Sequence, residues 1–144
     1  MVVDAGGSGE LYVVVFAGAV ARNTKQSITI HQRSIEFAAL IFDAKIWHAH
    51  WPVVANVQEL PPAIPYPVYK LETPTGTIVQ SFDRSTEKVA TEEEIERLPY
   101  RTYIAPIRLE KAVKARHGVG DWDDSYDELL AEYLLRASNA GQAE

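Results

Sequence analysis

The spacing of apolar and polar positions changes character once along this chain, from a period of two to a period between three and four. "LYVVVFAGAV" (11–20) is dense in β-branched and aromatic residues and predicts a strand ending near Gly18. After the polar turn "ARNTKQ", Ile28 and Ile30 of "SITIHQ" alternate with polar neighbours, as a second strand requires. In "IEFAALIFD" (35–43) Ile35, Phe37 and Ala39 alternate, while Phe37, Leu40 and Ile41 also suit a helical face; we read it as strand. "IWHAHWPVV" (46–54) reads as a strand that carries large aromatics into the core and leaves through Pro52, with His48 and His50 on its wetter face. "ELPPAIPYPVYKLETPTG" (59–76) contains Pro61, Pro62, Pro65, Pro67 and Pro74. Proline has no amide donor and disfavours helix in the residue before it, so this run is expected to cross the sheet extended, anchored by Tyr66 and Tyr69. "GTIVQSFD" (76–83) alternates again and predicts a strand.

From there the pattern is helical. Thr91 and Glu94 form a capping box ahead of "EIERL", whose glutamates stand at the positive end of the helix dipole. Pro99 ends that helix. "LEKAVKARHG" predicts a second helix closing at Gly118, with Lys114, Arg116 and His117 in its last turn. Ser125 and Glu128 have the spacing of another capping box, followed by Tyr126, Leu129, Leu130, Tyr133, Leu134 and Ala137 as one apolar stripe. There is no internal repeat.

These elements predict an α+β domain: an antiparallel sheet of about four to six strands with helices of the C-terminal half packed on one face. Residues 1–9, with "DAGGSG", are expected to be a flexible lead-in, 10–138 a single domain and 139–144 a frayed tail. The length of 144 residues is enough for one domain with its own core.

Composition narrows the chemistry. The absence of cysteine excludes disulfides, thiolate nucleophiles and iron–sulfur clusters, and it fits a reducing cytoplasm. No apolar run approaches the ~20 residues of a membrane span, and no basic region precedes the first apolar stretch as a signal peptide would require. The formal charge of −6 disfavours nucleic acid and favours a basic protein partner. The excess is uneven: residues 1–50 carry four acids and four bases, 51–100 eight and four, and 101–144 eight and six. No nucleophile elbow, Walker loop or dinucleotide fingerprint is present.

Two constellations are left. His48 and His50 could present two imidazoles to one metal from the same side of a strand, with His31, Asp43 or His117 as a third ligand. That would make a small metal-dependent enzyme. The spacing recruits no third ligand, so rim histidines, no metal and no cofactor are expected. In "GDWDDSYDELLAE", Asp121, Asp123, Ser125, Asp127 and Glu132 echo a calcium loop, but Tyr126 stands where such a loop needs glycine. Asp121, Asp123, Asp124 and Asp127 therefore form an acidic helix start around Trp122. Either Trp122 is exposed among carboxylates, which suits a basic protein partner, or it is tucked into the core beneath a solvated helix start.

The order of parts from about residue 35 to 130 resembles the immunity protein 26 family of bacterial polymorphic toxin systems. The resemblance rests on Trp51, Pro52, Val53 and Val54, then Pro61 and Pro62, Glu93 and Leu98, Glu110 and Ala112, and finally Gly118, Gly120 and Trp122. It implies a non-enzymatic cytoplasmic protein that binds and neutralises a cognate toxin, and it transfers no catalytic residues. The expected partner-binding residues are Asp121, Trp122, Asp123, Asp124 and Asp127, joined by the glutamates of 92–96, with a homo-oligomer left open.

Overall fold

A computed structural model describes residues 2–18, 34–53 and 64–140. The strand expected at Ile28 and Ile30, His31, and the first half of the proline-rich run lie outside them. The protein is α+β, with two sheets and with helices in the C-terminal half. In place of the single antiparallel sheet expected, a four-stranded sheet runs β1 (Val2–Asp4), β2 (Glu10–Phe16), β3 (Ile35–Phe42) and β7 (Tyr103–Ile104). A three-stranded sheet runs β4 (Val68–Thr73), β5 (Gly76–Ser81) and β6 (Glu87–Val89). All pairs are antiparallel except β3 with β7, where Leu40 faces Tyr103 and Ile41 faces Ile104.

The mixed signal of "IEFAALIF" now has a cause. Residues 37–41 of β3 are all buried, because the sheet is covered on both faces, and a strand covered twice loses its alternation. On one face Tyr12, Val14, Ala38 and Leu40 pack with Tyr69 and Phe82 of the second sheet region and with Leu134 and Leu135 of α4 (Ala131–Ala140). On the other, Val13, Phe37, Ala39 and Ile41 pack with Leu109 and Ala112 of α3 (Pro106–Arg116) and with Leu129. The C-terminal helices are thus divided between two faces, not gathered on one.

Four further expectations are corrected. The lead-in at 1–9 is built into the sheet: Val2, Val3 and Asp4 pair with Val13, Tyr12 and Leu11, and Ala5 is fully buried. "IWHAHW" is no strand; Ala44–Trp47 form a single helical turn, α1, followed by Ala49 with φ of 56°. The second half of the proline-rich run is the strand β4, since prolines 65 and 67 precede it and Pro74 falls in its turn with β5. The last apolar stripe is broken in two. A 3-10 segment spans Asp124–Leu129, and Leu130 turns extended to bridge Phe37 before α4 begins.

The two sheets are stitched by one run of chain. After α2 (Glu92–Arg97), the amide of Lys70 donates to Pro99 O at 3.0 Å and that of Arg101 to Lys70 O at 3.2 Å, so residues 99–101 extend the outer edge of β4. Two residues later the same run becomes β7 on the edge of β3. Arg101, at the crossing, keeps only 3% of its side chain exposed and donates to the carbonyls of Ala5, Ser81 and Phe82 and, at 2.8 Å, to the Tyr103 hydroxyl. Gly6 lies at the same seam, where a Cβ would come 2.1 Å from Asp83 O, and only glycine fits that approach.

Candidate functional site

The acidic stretch takes its shape from local bonds. Asp123 caps the 3-10 segment, its Oδ1 accepting the Ser125 amide at 2.8 Å. This replaces the expected box of Ser125 and Glu128: a carboxylate two residues upstream reaches the amide first. The Ser125 hydrogen bonds, with help from Arg108, hold the Asp123 carboxyl below its ordinary range. Asp121, Asp124 and Asp127 are exposed as well.

Trp122 answers to both of the alternatives posed for it. Its ring leans on Phe37 at 6.4 Å and meets Tyr126 edge-on at 5.5 Å, yet 37% of the residue stays exposed. Its Nε1–H donates to Asp127 Oδ1 at 3.0 Å. The indole is therefore fixed in orientation with its free part among carboxylates. Arg108 bounds the patch on one side, donating to Ser125 O and pairing with Glu128. No hydrogen bond or ion pair to a side chain is made by Asp121 or Asp124 among the described residues.

The second acidic element, α2, carries its expected cap: Thr91 accepts from the Glu94 amide and Glu94 accepts from the Thr91 amide at 2.9 Å. Lys88 pairs with Glu94 at 2.6 Å and, with the Thr91 amide, lowers its carboxyl pKa. A cleft of about 420 Å³ runs between the two acidic elements, with Glu96 and Arg97 on one wall and Glu128 and Leu129 on the other. Leu40, Ile104 and Tyr69 line its interior, and Tyr100 and Tyr133 line it with half-exposed rings. Sequence pattern gave no sign of this cleft, because its walls come from six separate elements, β3, β4, α2, β7, the 3-10 segment and α4. Burial pushes the Tyr69 hydroxyl well above the usual tyrosine range, so it stays protonated.

The histidine constellation is placed elsewhere. His48 and His50 are exposed in the turn after α1, their ring centroids 6.4 Å apart. His117 pairs instead with Glu36 at 3.2 Å. Among the described residues no group of three histidine or acidic side chains is placed to hold a metal. The tryptophans flanking the histidines part company. Trp47 is 80% exposed, whereas Trp51 packs on the α3 face of the sheet and donates to Glu110 Oε1 at 2.7 Å. Burial raises the Glu110 pKa, but the Trp51 and Lys45 hydrogen bonds outweigh it and the net shift is downward.

No described helix is long and apolar enough to cross a membrane. No family model, curated protein or solved structure matches this chain.

Proposed function

We propose that the chain is a non-enzymatic protein of the immunity type, which binds and neutralises a basic toxin domain in the cytoplasm of its own cell. The partner-binding surface is Asp121, Trp122, Asp123, Asp124 and Asp127. The observation that carries this reading is the fixed, part-exposed indole of Trp122 set among exposed carboxylates, two of which have no cation paired with them among the described residues. A tryptophan already held in one rotamer loses little conformational freedom on binding, and such residues anchor interfaces. The surrounding negative charge attracts a cationic cleft, of the kind that grips nucleic-acid phosphates, and speeds encounter. The resemblance of its order of parts to the immunity protein 26 family favours the same reading. Glu92, Glu93 and Glu96 are exposed on α2, across the cleft from the 3-10 segment, and widen the acidic surface.

The test is affinity capture from lysate of the source bacterium, washed at low and at high salt, repeated with Asp121→Asn, Asp123→Asn and Asp124→Asn combined. Asparagine at 123 can still accept the Ser125 amide, so the local fold is kept. A single stoichiometric basic partner, released by salt and lost by the triple variant, is the expected result. Equal retention by the triple variant would remove the patch, and capture of no partner in either wash would remove the immunity reading.

A further inference from the structure

His48 and His50 are both exposed, and their rings lie 6.4 Å apart, centre to centre, with planes inclined at 61°. Among the described residues neither ring is hydrogen-bonded or ion-paired, whereas His117 is occupied by Glu36 at 3.2 Å. A surface histidine needs no protein partner, because water serves. What sets this pair apart is the backbone that carries it.

That backbone is held at both ends. The His48 amide donates to Ala44 O at 3.0 Å, the Ala49 amide to Ile46 O at 2.9 Å and the Trp51 amide to Lys45 O at 3.0 Å. The Trp51 side chain fixes the exit, packing on the α3 face of the sheet and donating to Glu110. Between the two histidines stands Ala49, with φ of 56°. Helices commonly close through this left-handed conformation, and glycine is the usual residue there because a Cβ is strained. Alanine carries that strain and leaves the turn fewer alternatives. A strained residue other than glycine, clamped between two unoccupied imidazoles, is an outlier of the sort that marks functional sites.

The ring separation lets one ion meet both imidazoles. For a metal–nitrogen length of about 2.1 Å, two imidazoles on a tetrahedral ion have ring centres about 5 Å apart, and about 6.5 Å apart in a linear arrangement. The observed 6.4 Å falls at the open end of that span. Rotation about the side-chain bonds of two exposed rings brings them together without moving the clamped backbone. The donors set the class of ion. Neutral imidazole suits zinc, copper and nickel, whereas magnesium and calcium require oxygen. Lys45, the cation of the same helical turn, is paired with Glu110 at 3.1 Å, and the net charge of −6 does not oppose an incoming cation.

We propose that His48 and His50 together bind one divalent late transition-metal ion, of which zinc is the representative. Two imidazoles leave coordination positions open to water or to a donor from another molecule. The site is one of binding and involves no reaction. It is independent of the acidic partner surface, so the two proposals fail separately.

The experiment is a zinc titration of the full chain, untagged and stripped with chelator, followed by NMR of the histidine ring nitrogens and the backbone amides. Saturable shifts of the His48 and His50 rings are expected, with the His117 ring unmoved and with magnesium and calcium without effect. His48→Gln and His50→Gln should each weaken zinc binding about tenfold or more, because the remaining ring then lacks its intramolecular second ligand. Both side chains are exposed, so both variants should keep the metal-free thermal midpoint. Sedimentation separates two sources of the remaining ligands: an unchanged mass means water, and a doubled mass means the same pair on a second copy. Either supports the site. Zinc shifts centred on residues 121–127 with both rings unmoved would place the ion on the acidic segment and overturn the proposal. Undiminished affinity in both variants, or no saturable shift, would overturn it as well.

Discussion

The seam between the two sheets and the acidic 3-10 segment are both rich in charge, and they use it in opposite ways. At the seam Glu10 accepts from the Tyr103 hydroxyl at 2.9 Å and pairs with Arg84 at 2.7 Å, while Arg101 distributes its donors over three carbonyls and that same hydroxyl. Every charge there has been answered. At the 3-10 segment and just before it, Asp124 and Asp121 face water, and among the described residues Asp127 has only an indole N–H. The count of charged residues is similar in the two places, so composition does not separate structure from function. Neutralisation does: a closed network holds the fold, and an open one is available to another molecule.

The largest effect should come from breaking the closed network. Arg101→Met removes a buried guanidinium and leaves three carbonyls and Glu10 short of a partner, which should cost about 3–5 kcal/mol of stability, the usual result of removing one member of a buried charged set. Chemical denaturation would read it. A loss below about 1 kcal/mol would mean that the seam is held by packing alone. The triple Asp→Asn change on the open segment should do the reverse, leaving stability within about 0.5 kcal/mol while slowing association with the partner roughly tenfold or more at low salt. Stopped-flow rates at two ionic strengths check it; a rate loss that survives high salt would argue against a field effect.

Trp51, Glu110 and Lys45 are an intermediate case, a tryptophan and a carboxylate arranged as at Trp122 and Asp127 but with a cation added at 3.1 Å. If closure is what makes such a cluster structural, Glu110→Gln should cost about 1 kcal/mol of stability, the typical net worth of a partly buried hydrogen bond, and leave partner binding unchanged.

These contrasts explain which parts of the sequence were legible. The Thr91–Glu94 box lies within four residues and was read correctly, because nothing distant competes for it. Ser125 and Glu128 have the same spacing, yet Asp123 takes the Ser125 amide and Arg108, seventeen residues back, draws on Ser125 O and Glu128. Leu130 left the helical stripe because Phe37 offered it a bridge. "IWHAHW" has the period of a strand, but Trp51 finds its partner fifty-nine residues on in Glu110, and no local pattern encodes that. β7 has two residues and no pattern of its own; it exists because the chain leaving β4 must pass the edge of β3. The acidic residues were legible as a cluster, and the cleft beside them was not.

The smallest predicted effect lies inside the open segment. There the Asp123 carboxyl is held below the usual aspartate range by the Ser125 side chain and amide and then by Arg108. Because the folded pKa is the lower one, the stabilisation is fully present above the ordinary aspartate range. It is lost as the pH falls through the folded value. Carbon-detected NMR titration should therefore place Asp123 below an unperturbed aspartate. Ser125→Ala, which removes the hydroxyl but keeps the amide, should move it part of the way back without touching the seam. If Asp123 titrates normally in the wild-type chain, its carboxylate is not held by Ser125. The cap would then have to come from another group, and the whole acidic face would be open to the partner.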